Sequence, residues 1–360
     1  MKMLAVNFGG LGDEVLFLPT LKSIKLEHPD WHITLLTEPR ARSVKQLTNL
    51  VDQSIVFDIK KRPLLPQDYM ELIGLLRGGG YDLILSSGGS LQVSVLLFLS
   101  GINRRVGYDS GAVSRLLLSA AVPLNKEQYA GLMYHDLVKG LGITRTAANP
   151  EVVLSQESLQ RMKLMLNETG LDNGIATGAD QPRRVILHPG TSRLAIQKGI
   201  IKVWAAQNWV QLSQRLLAKG CHVILAGGPE DEEAVAQINA GVSALSPTGS
   251  AGKFLSALGK TANVADLAAL IQLCDLMVCV DSAPMHIAAA LPKPLVALFG
   301  PTDPQKLLPE DQLFIALKED SGAPKTAPGV QIPVDTVFQT VEDLWRRVSS
   351  QDSFQECRFR

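Results

Sequence analysis

The chain has 360 residues, 46% apolar and 19% charged, with 35 basic and 35 acidic side chains. Domains run to about 100–200 residues, so roughly two are expected, and this balance excludes a disordered or coiled-coil chain. Zero formal charge and only 5% aromatics argue against the basic face and stacking platform of a nucleic-acid binder, so no nucleic-acid partner is expected.

In chain order, Leu4–Asn7 reads as a strand that enters a Gly-rich turn and then a helix from Asp13 to His28. His32–Thr37 is a second strand, followed by a helix through Leu47. Gln53–Phe57 is a third strand, and a helix over Gln67–Arg77 leads to a fourth, Tyr81–Ser86. An apolar helix over Leu91–Leu99 gives way to a polar stretch holding Arg104, Arg105 and Arg115. The segment Asn167–Arg184 is rich in Gly, Asp, Asn and Pro and has linker composition. A new series then begins, with strands at Val185–Leu187, His222–Ala226, Leu276–Val280 and Leu295–Phe299. Its helices are Asn208–Leu217, Asp231–Ala240, Asn263–Cys274 and Pro284–Leu291. Strand–helix alternation of this kind predicts an α/β fold of parallel sheets with helices on both faces. The predicted domains are 1–170 and 185–335, joined by a linker at 171–184. The last segment, 336–360, opens on an amphipathic helix, Thr336–Val348, that could pack on its own domain or cross back to the first.

The start of the chain lacks an apolar region ending in a cleavage site. Its longest apolar run, Val93–Leu99, is well short of the ~20 residues of a membrane span. A cytoplasmic protein is expected, with Cys221, Cys274 and Cys279 as buried free thiols; no Cys-x-x-Cys pair suggests a metal.

Ligands of open parallel sheets bind beyond the carboxyl ends of the strands. In the second half those loops read HPGTSR from His188, GGPE from Gly227, DSAPMH from Asp281 and GPTD from Gly300. Hydroxyls, a Gly and nearby cations suit phosphate oxygens. Thr191 and Ser192, followed by Arg193, Lys198 and Lys202, form such a set. Asp281 reads equally as a ligand group and as a helix cap before Pro284. Glu230 fits a ribose diol or the dipole of its own helix. His188 and His286 are phosphate donors or structural histidines. In the first half, Gly9-Gly10-Leu11-Gly12-Asp13 starts like a dinucleotide fingerprint, but the third Gly falls at Val15. Two acids at the helix start repel a pyrophosphate. Asp13 therefore reads as a general base, or as a plain dipole-complementing acid.

Taken together, GGLGDEVLFLPTLKSIKLEHPD, HPGTSR with KVW, GGPEDEE, and VDSAPMHIAAAL with LFGPTDP resemble the heptosyltransferase family of lipopolysaccharide core assembly, glycosyltransferase family nine. The resemblance is strongest over 1–30 and 183–304. It implies a GT-B fold, two Rossmann-like doubly wound domains facing each other across a cleft. The N-terminal domain would bind the acceptor and the C-terminal domain an ADP-heptose-like nucleotide-diphospho-sugar. Family members invert the anomeric centre and need no metal or other cofactor. By resemblance, Asp13 is the catalytic base and Lys202, two before Trp204, contacts the donor phosphates. The donor site would comprise His188, Gly190, Thr191, Ser192, Lys202, Gly228, Glu230, Asp281, Ser282, Ala283, Met285 and His286. Gly10, Gly12, Arg104 and Arg105 would meet the acceptor. The enzyme is expected to be monomeric, with a peripheral contact on the cytoplasmic face of the inner membrane. Ala283 replaces a Gly usual in the family, no Cys cluster precedes the final helix, and the insertion Leu194–Ile201 leaves Lys198 as a rival to Lys202. A nucleotide-sugar epimerase, an NAD(P)-dependent oxidoreductase and a non-catalytic nucleotide-sugar-binding regulator remain as other readings.

Overall fold

A computed structural model describes residues 1–61, 63, 65–171, 182–319 except 246–251, and 329–356. The chain divides into two compact units, Met1–Val153 with Gln305–Pro309, and Leu154–Pro304 with Glu310–Arg360. Each is built on one six-stranded parallel sheet.

The first sheet holds β1 (Lys2–Val6), β2 (His32–Thr37), β3 (Gln53–Val56), β4 (Leu83–Ser86), β5 (Arg104–Tyr108) and β6 (Ala120–Val122), in spatial order β3-β2-β1-β4-β5-β6. The second holds β7 (Arg184–His188), β8 (His222–Leu225), β9 (Phe254–Ser256), β10 (Leu276–Val280), β11 (Leu295–Phe299) and β12 (Phe314–Lys318), in order β12-β11-β10-β7-β8-β9. Numbered from its own first strand, each sheet runs 3-2-1-4-5-6, the doubly wound Rossmann order. The central strands are apolar because helices cover both faces. Met3, Leu4 and Ala5 of β1 and all five residues of β10 are fully buried.

β5, β6, β9 and β12 lie outside the strands read from sequence. β5 begins with two arginines, and β6 and β9 have three residues each, too little for an apolar strand pattern, whereas β12 carries the run Phe314-Ile315-Ala316-Leu317 and is simply missed. The helix expected through Leu47 is instead two 3-10 turns, Pro39–Ala41 and Val44–Leu47. The helix Gln156–Glu168 falls within the predicted first domain, yet it packs against the helix Val264–Leu273 of the second unit. There Arg161 meets the fully buried Asp266 at 2.7 Å. The predicted linker lies mostly outside the described residues. The final helix, Val334–Glu356, stays on the second unit: Val337, Val341 and Leu344 join its core, beside the helix Ala206–Ala218. Cys221, Cys274 and Cys279 are buried free thiols.

Candidate active site

In each sheet the strand order reverses between two neighbours, β1 and β4 in the first and β7 and β10 in the second. At such a reversal the following loops part to opposite faces and leave a crevice at the carboxyl edge. Both crevices are lined by polar loops.

In the first, Asn7 ends the chain's run along β1. Its Oδ1 accepts from the Gly9 N–H at 3.1 Å and from Ser87 Oγ, beyond β4, at 2.9 Å. The helix Leu11–Glu27 then starts with Gly10 as its cap residue. Asp13 turns back on that start. Its Oδ2 accepts from the Gly10 N–H at 2.8 Å, and its Oδ1 accepts from the Tyr134 hydroxyl at 3.0 Å. A Cβ on Gly9 would stand 2.2 Å from the Asp13 Cβ, so only glycine fits there. Asp13 remains partly exposed. It is both a helix cap and an accessible carboxylate, so the two sequence readings of this residue describe one geometry.

Glu14 is different. It is fully buried, and neither carboxylate oxygen has a partner in hydrogen-bond geometry. Burial raises its pKa well above the ordinary 4.5, the neighbouring Asp13 adds to that, and the nearby Asn7 amide only partly offsets it. Its burial removes Glu14 as a substitute base. A carboxyl with a raised folded-state pKa keeps a proton that the unfolded chain has lost, so stability falls as pH rises from the unfolded toward the folded pKa. Glu14→Gln removes that titration. The melting temperature of the variant minus that of the wild type should grow by a few degrees from pH 4.5 upward and level off above the folded pKa. A pH-independent difference in thermal melts would overturn this.

In the second crevice β7 delivers His188 beside β10. His188 is buried, and its burial pushes the imidazole pKa down despite the Asp231 carboxylate. Gly190 lies where a Cβ would collide with Asp231, at 2.2 Å. Ser192 caps the short helix Arg193–Gln197, accepting from the Ala195 N–H at 3.3 Å. Asp231 repeats the Asp13 pattern: it accepts from the Gly228 N–H at 2.8 Å. Glu230 accepts from the Arg193 N–H at 3.0 Å, which ties the second loop to the first. Beyond β10, Asp281 is nearly fully buried. It accepts from Lys202 Nζ at 2.5 Å and from Thr302 Oγ1 at 2.7 Å. Ser282 stands at the N-cap of the helix Ala283–Ala290 and Pro284 in its first turn.

After the inserted segment, Lys202 pairs with Asp281. Lys202 returns to the β10 edge, while Lys198 is exposed at the end of its short helix. Thr191 and Ser192 are partly exposed. Met285 is fully buried and His286 nearly so; Met285 packs in the core. Arg104 and Arg105 must be moved. They open β5, so they lie at the amino edge of the first sheet, opposite Asp13. Arg105 spends its guanidinium on the carbonyls of Ile102, Asn103 and Leu117. Tyr134 and Thr302 are functional candidates the sequence left unassigned. Tyr134 is 121 residues from Asp13 and no local spacing marks it, whereas Thr302 sits in a loop already singled out as a carboxyl-edge turn. Among the described residues no three His, Cys, Asp or Glu side chains converge as a metal site.

Two Rossmann-like sheets, each with a polar crevice at its switch point, have the architecture of the GT-B class. Residues 70–326 match Glycosyltransferase family 9 (heptosyltransferase), and the chain belongs to that family and is a glycosyltransferase. It is 27% identical over 304 residues to lipopolysaccharide heptosyltransferase 3 of Escherichia coli, covering 81% of each chain. It is 25% identical over 358 residues to lipooligosaccharide heptosyltransferase 2 of Haemophilus ducreyi, covering 96% of this chain and 99% of the relative. Among solved structures, a family 9 glycosyl transferase from Veillonella parvula superposes with a TM-score of 0.75 at 22% identity, over 95% of this chain and 96% of the other. ADP-heptose lps heptosyltransferase II of E. coli gives 0.72 at 22% identity, over 97% and 100%. These two likenesses concern the fold. Among the described residues no helix is long and apolar enough to cross a membrane.

Proposed function

We propose that this enzyme transfers a heptose, or a closely related sugar, from an ADP-heptose-type donor to a lipopolysaccharide or lipooligosaccharide core acceptor. The second unit holds the donor and the first receives the acceptor. Asp13 takes the proton of the acceptor hydroxyl. The freed oxygen attacks the anomeric carbon in line, the bond to the diphosphate breaks, and the configuration inverts. Charge on the departing diphosphate is met by Lys202, Thr191 and Ser192 and by the N–H groups that open the helix Ala283–Ala290. Glu230 binds the ribose, and Gly10 and Gly12 leave space for the acceptor. The protein acts as a monomer in the cytoplasm, in peripheral contact with the inner membrane.

The observation that carries this reading is the pairing of Lys202 and Thr302 on the buried Asp281. It supports a cation held at the carboxyl end of β10, the edge at which this reading puts the diphosphate. Incubation with ADP-heptose and a truncated core oligosaccharide tests the reading. The expected products are ADP and an acceptor heavier by one heptose residue, in the inverted anomeric configuration. Turnover with a different nucleotide-sugar alone would replace the heptose. A freed or isomerised sugar without acceptor would favour the epimerase reading.

A further inference from the structure

A carboxylate that takes a proton has to present an oxygen in a fixed direction, yet the last torsion of an Asp side chain is broad and two-fold. The helix cap at Asp13 engages only one of its oxygens. Asp68 and Asp231 close the same cap on the Leu65 and Gly228 N–H groups, at 2.8 Å each, and each uses its Oδ2 for it. On Asp13 the other oxygen, Oδ1, accepts from the Tyr134 hydroxyl at 3.0 Å. The cap does not call for that contact, which comes from another helix 121 residues along the chain.

The short helix Ala130–His135, which carries Tyr134, packs on the helix Leu11–Glu27, which carries Asp13. Three consecutive residues tie it down. The Met133 carbonyl accepts from the Tyr108 hydroxyl at 2.6 Å. The Tyr134 ring stands edge-on to Phe17, with centroids 5.9 Å apart and planes at 83°. Phe17 lies one turn beyond Asp13 and is fully buried. His135 Nε2 meets Ser23 Oγ at 2.8 Å, and both residues are buried. Tyr134 is itself only 9% exposed. A rigid, nearly buried donor thus meets a partly exposed carboxylate.

We propose that Tyr134 is a positioning residue that sets the orientation of the Asp13 carboxylate for proton transfer. The inference rests on the proposed role of Asp13 as the base. With Oδ2 on the Gly10 N–H and Oδ1 on the Tyr134 hydroxyl, the carboxylate plane is set, and each oxygen keeps a further lone pair for the acceptor hydroxyl. A hydrogen bond to the charged form also favours that form, and a base must be ionised to act. The phenol stays a donor, because burial and the Asp13 charge push its pKa well above the ordinary 10. The groups around this pair are Glu14 on the same helix, buried and with its pKa raised, and Arg40 from the turn after β2. A Cβ on Gly10 would lie 3.9 Å from both the Arg40 guanidinium and Asp13 Oδ2. Arg40 is ion-paired to the buried Glu38, which Lys60 also meets at 3.2 Å. Beside Tyr134, burial lowers the pKa of His135. Tyr134→Phe removes the hydroxyl and leaves all of these in place.

That variant, Asp13→Asn and the double variant test the proposal on the full chain, with transfer from ADP-heptose to the truncated core oligosaccharide followed across pH. In Tyr134→Phe the acid limb of the kcat profile should move up by about one pH unit, the scale of a hydrogen bond to a charged group. Turnover should therefore fall about tenfold on the acid side and less above it, with the KM for the donor unchanged. On the Asp13→Asn background the same change should leave the residual rate as it is, because the two residues act as a unit. NMR of protein isotope-labelled at the Asp carboxyl carbons gives a reading that needs no activity. The signal missing from Asp13→Asn reports Asp13, and its titration should move up in Tyr134→Phe with the acid limb. Thermal melts should change little, since water can replace the hydroxyl at a partly exposed carboxylate. An acid limb and a carboxyl titration that both stay put would overturn the proposal. So would a loss of turnover that is equal at every pH, or one that persists in full on the Asp13→Asn background. If Asp13→Asn turned over normally while the Asp13 signal still moved in Tyr134→Phe, the base reading would fail and the hold of the hydroxyl on the carboxylate would stand.

Discussion

Asp13→Asn should bind the nucleotide donor as the wild type does and lose about 10²–10⁴-fold in turnover, the usual scale for a general base. The fold should tolerate the change. An Asn side-chain oxygen can accept from the Gly10 N–H as Asp13 does at 2.8 Å. The Tyr134 hydroxyl, now a donor to Asp13 at 3.0 Å, can accept from the Asn amide instead. A retained cap changes stability by only a few tenths of a kcal/mol. The side chain keeps its shape and its anchors but can no longer take a proton. If Asp13 were only a cap, the variant would turn over near normally. Glu14 could not rescue it, because it is fully buried. Thermal melts, donor affinity and product release on one purified variant separate the outcomes. Near-wild-type turnover with a competent acceptor would remove the base role.

The parts legible in sequence share a physical cause. β1, β2, β4, β7, β8, β10 and β11 lie toward the middle of their sheets, buried on both faces, so they read as apolar runs; β3, read from its Ile55-Val56-Phe57 end, is the exception, an edge strand that is only partly buried. β5 begins Arg104-Arg105 and contains Gly107, and nothing in its composition separates it from a loop. That omission has a direct consequence. Without β5 the sequence gives Arg104 and Arg105 no direction along the sheet, and they read as acceptor ligands; the strand puts them at the wrong edge. The amphipathic final helix shows the converse: its apolar spacing is correct, but spacing does not name the surface it packs on.

The same division runs through the site. The Asp13 cap is closed within four residues and is therefore visible in Gly10-Leu11-Gly12-Asp13. The repeat of that geometry at Gly228 and Asp231 is equally local. Contacts that span the fold are not visible in this way. Tyr134 reaches Asp13 across 121 residues, and Lys202 reaches Asp281 across 79. Both depend on elements meeting at a switch point, and one-dimensional spacing carries no such information. Lys202 carries a local marker in its resemblance to the family's KVW segment, whereas no motif marks Tyr134.

Lys202→Ala should weaken nucleoside diphosphate binding by about 1.5–3 kcal/mol, the range for a hydrogen bond to a charged group, and slow turnover in step. It should also lower the melting temperature. The Lys202–Asp281 pair is held at 2.5 Å, with side chains only 16% and 3% exposed. Removing the ammonium leaves a buried carboxylate that the Thr302 hydroxyl alone does not neutralise, and a stranded buried charge is destabilising. The loss of affinity and the loss of stability have separate origins. An ammonium has three donors; one is held by Asp281, and in the proposed mechanism another meets the diphosphate. On that proposal, Asp281 would order the lysine before the donor arrives and so limit the ordering cost of binding. Lys198→Ala is the comparison. Lys198 is exposed, so its removal should leave both the melt and the ADP affinity unchanged. Titration of ADP by calorimetry into the two variants, beside melts of both, decides the matter. If ADP affinity survived in Lys202→Ala and fell in Lys198→Ala, the phosphate role would pass to Lys198, and the Lys202–Asp281 pair would be a structural contact alone.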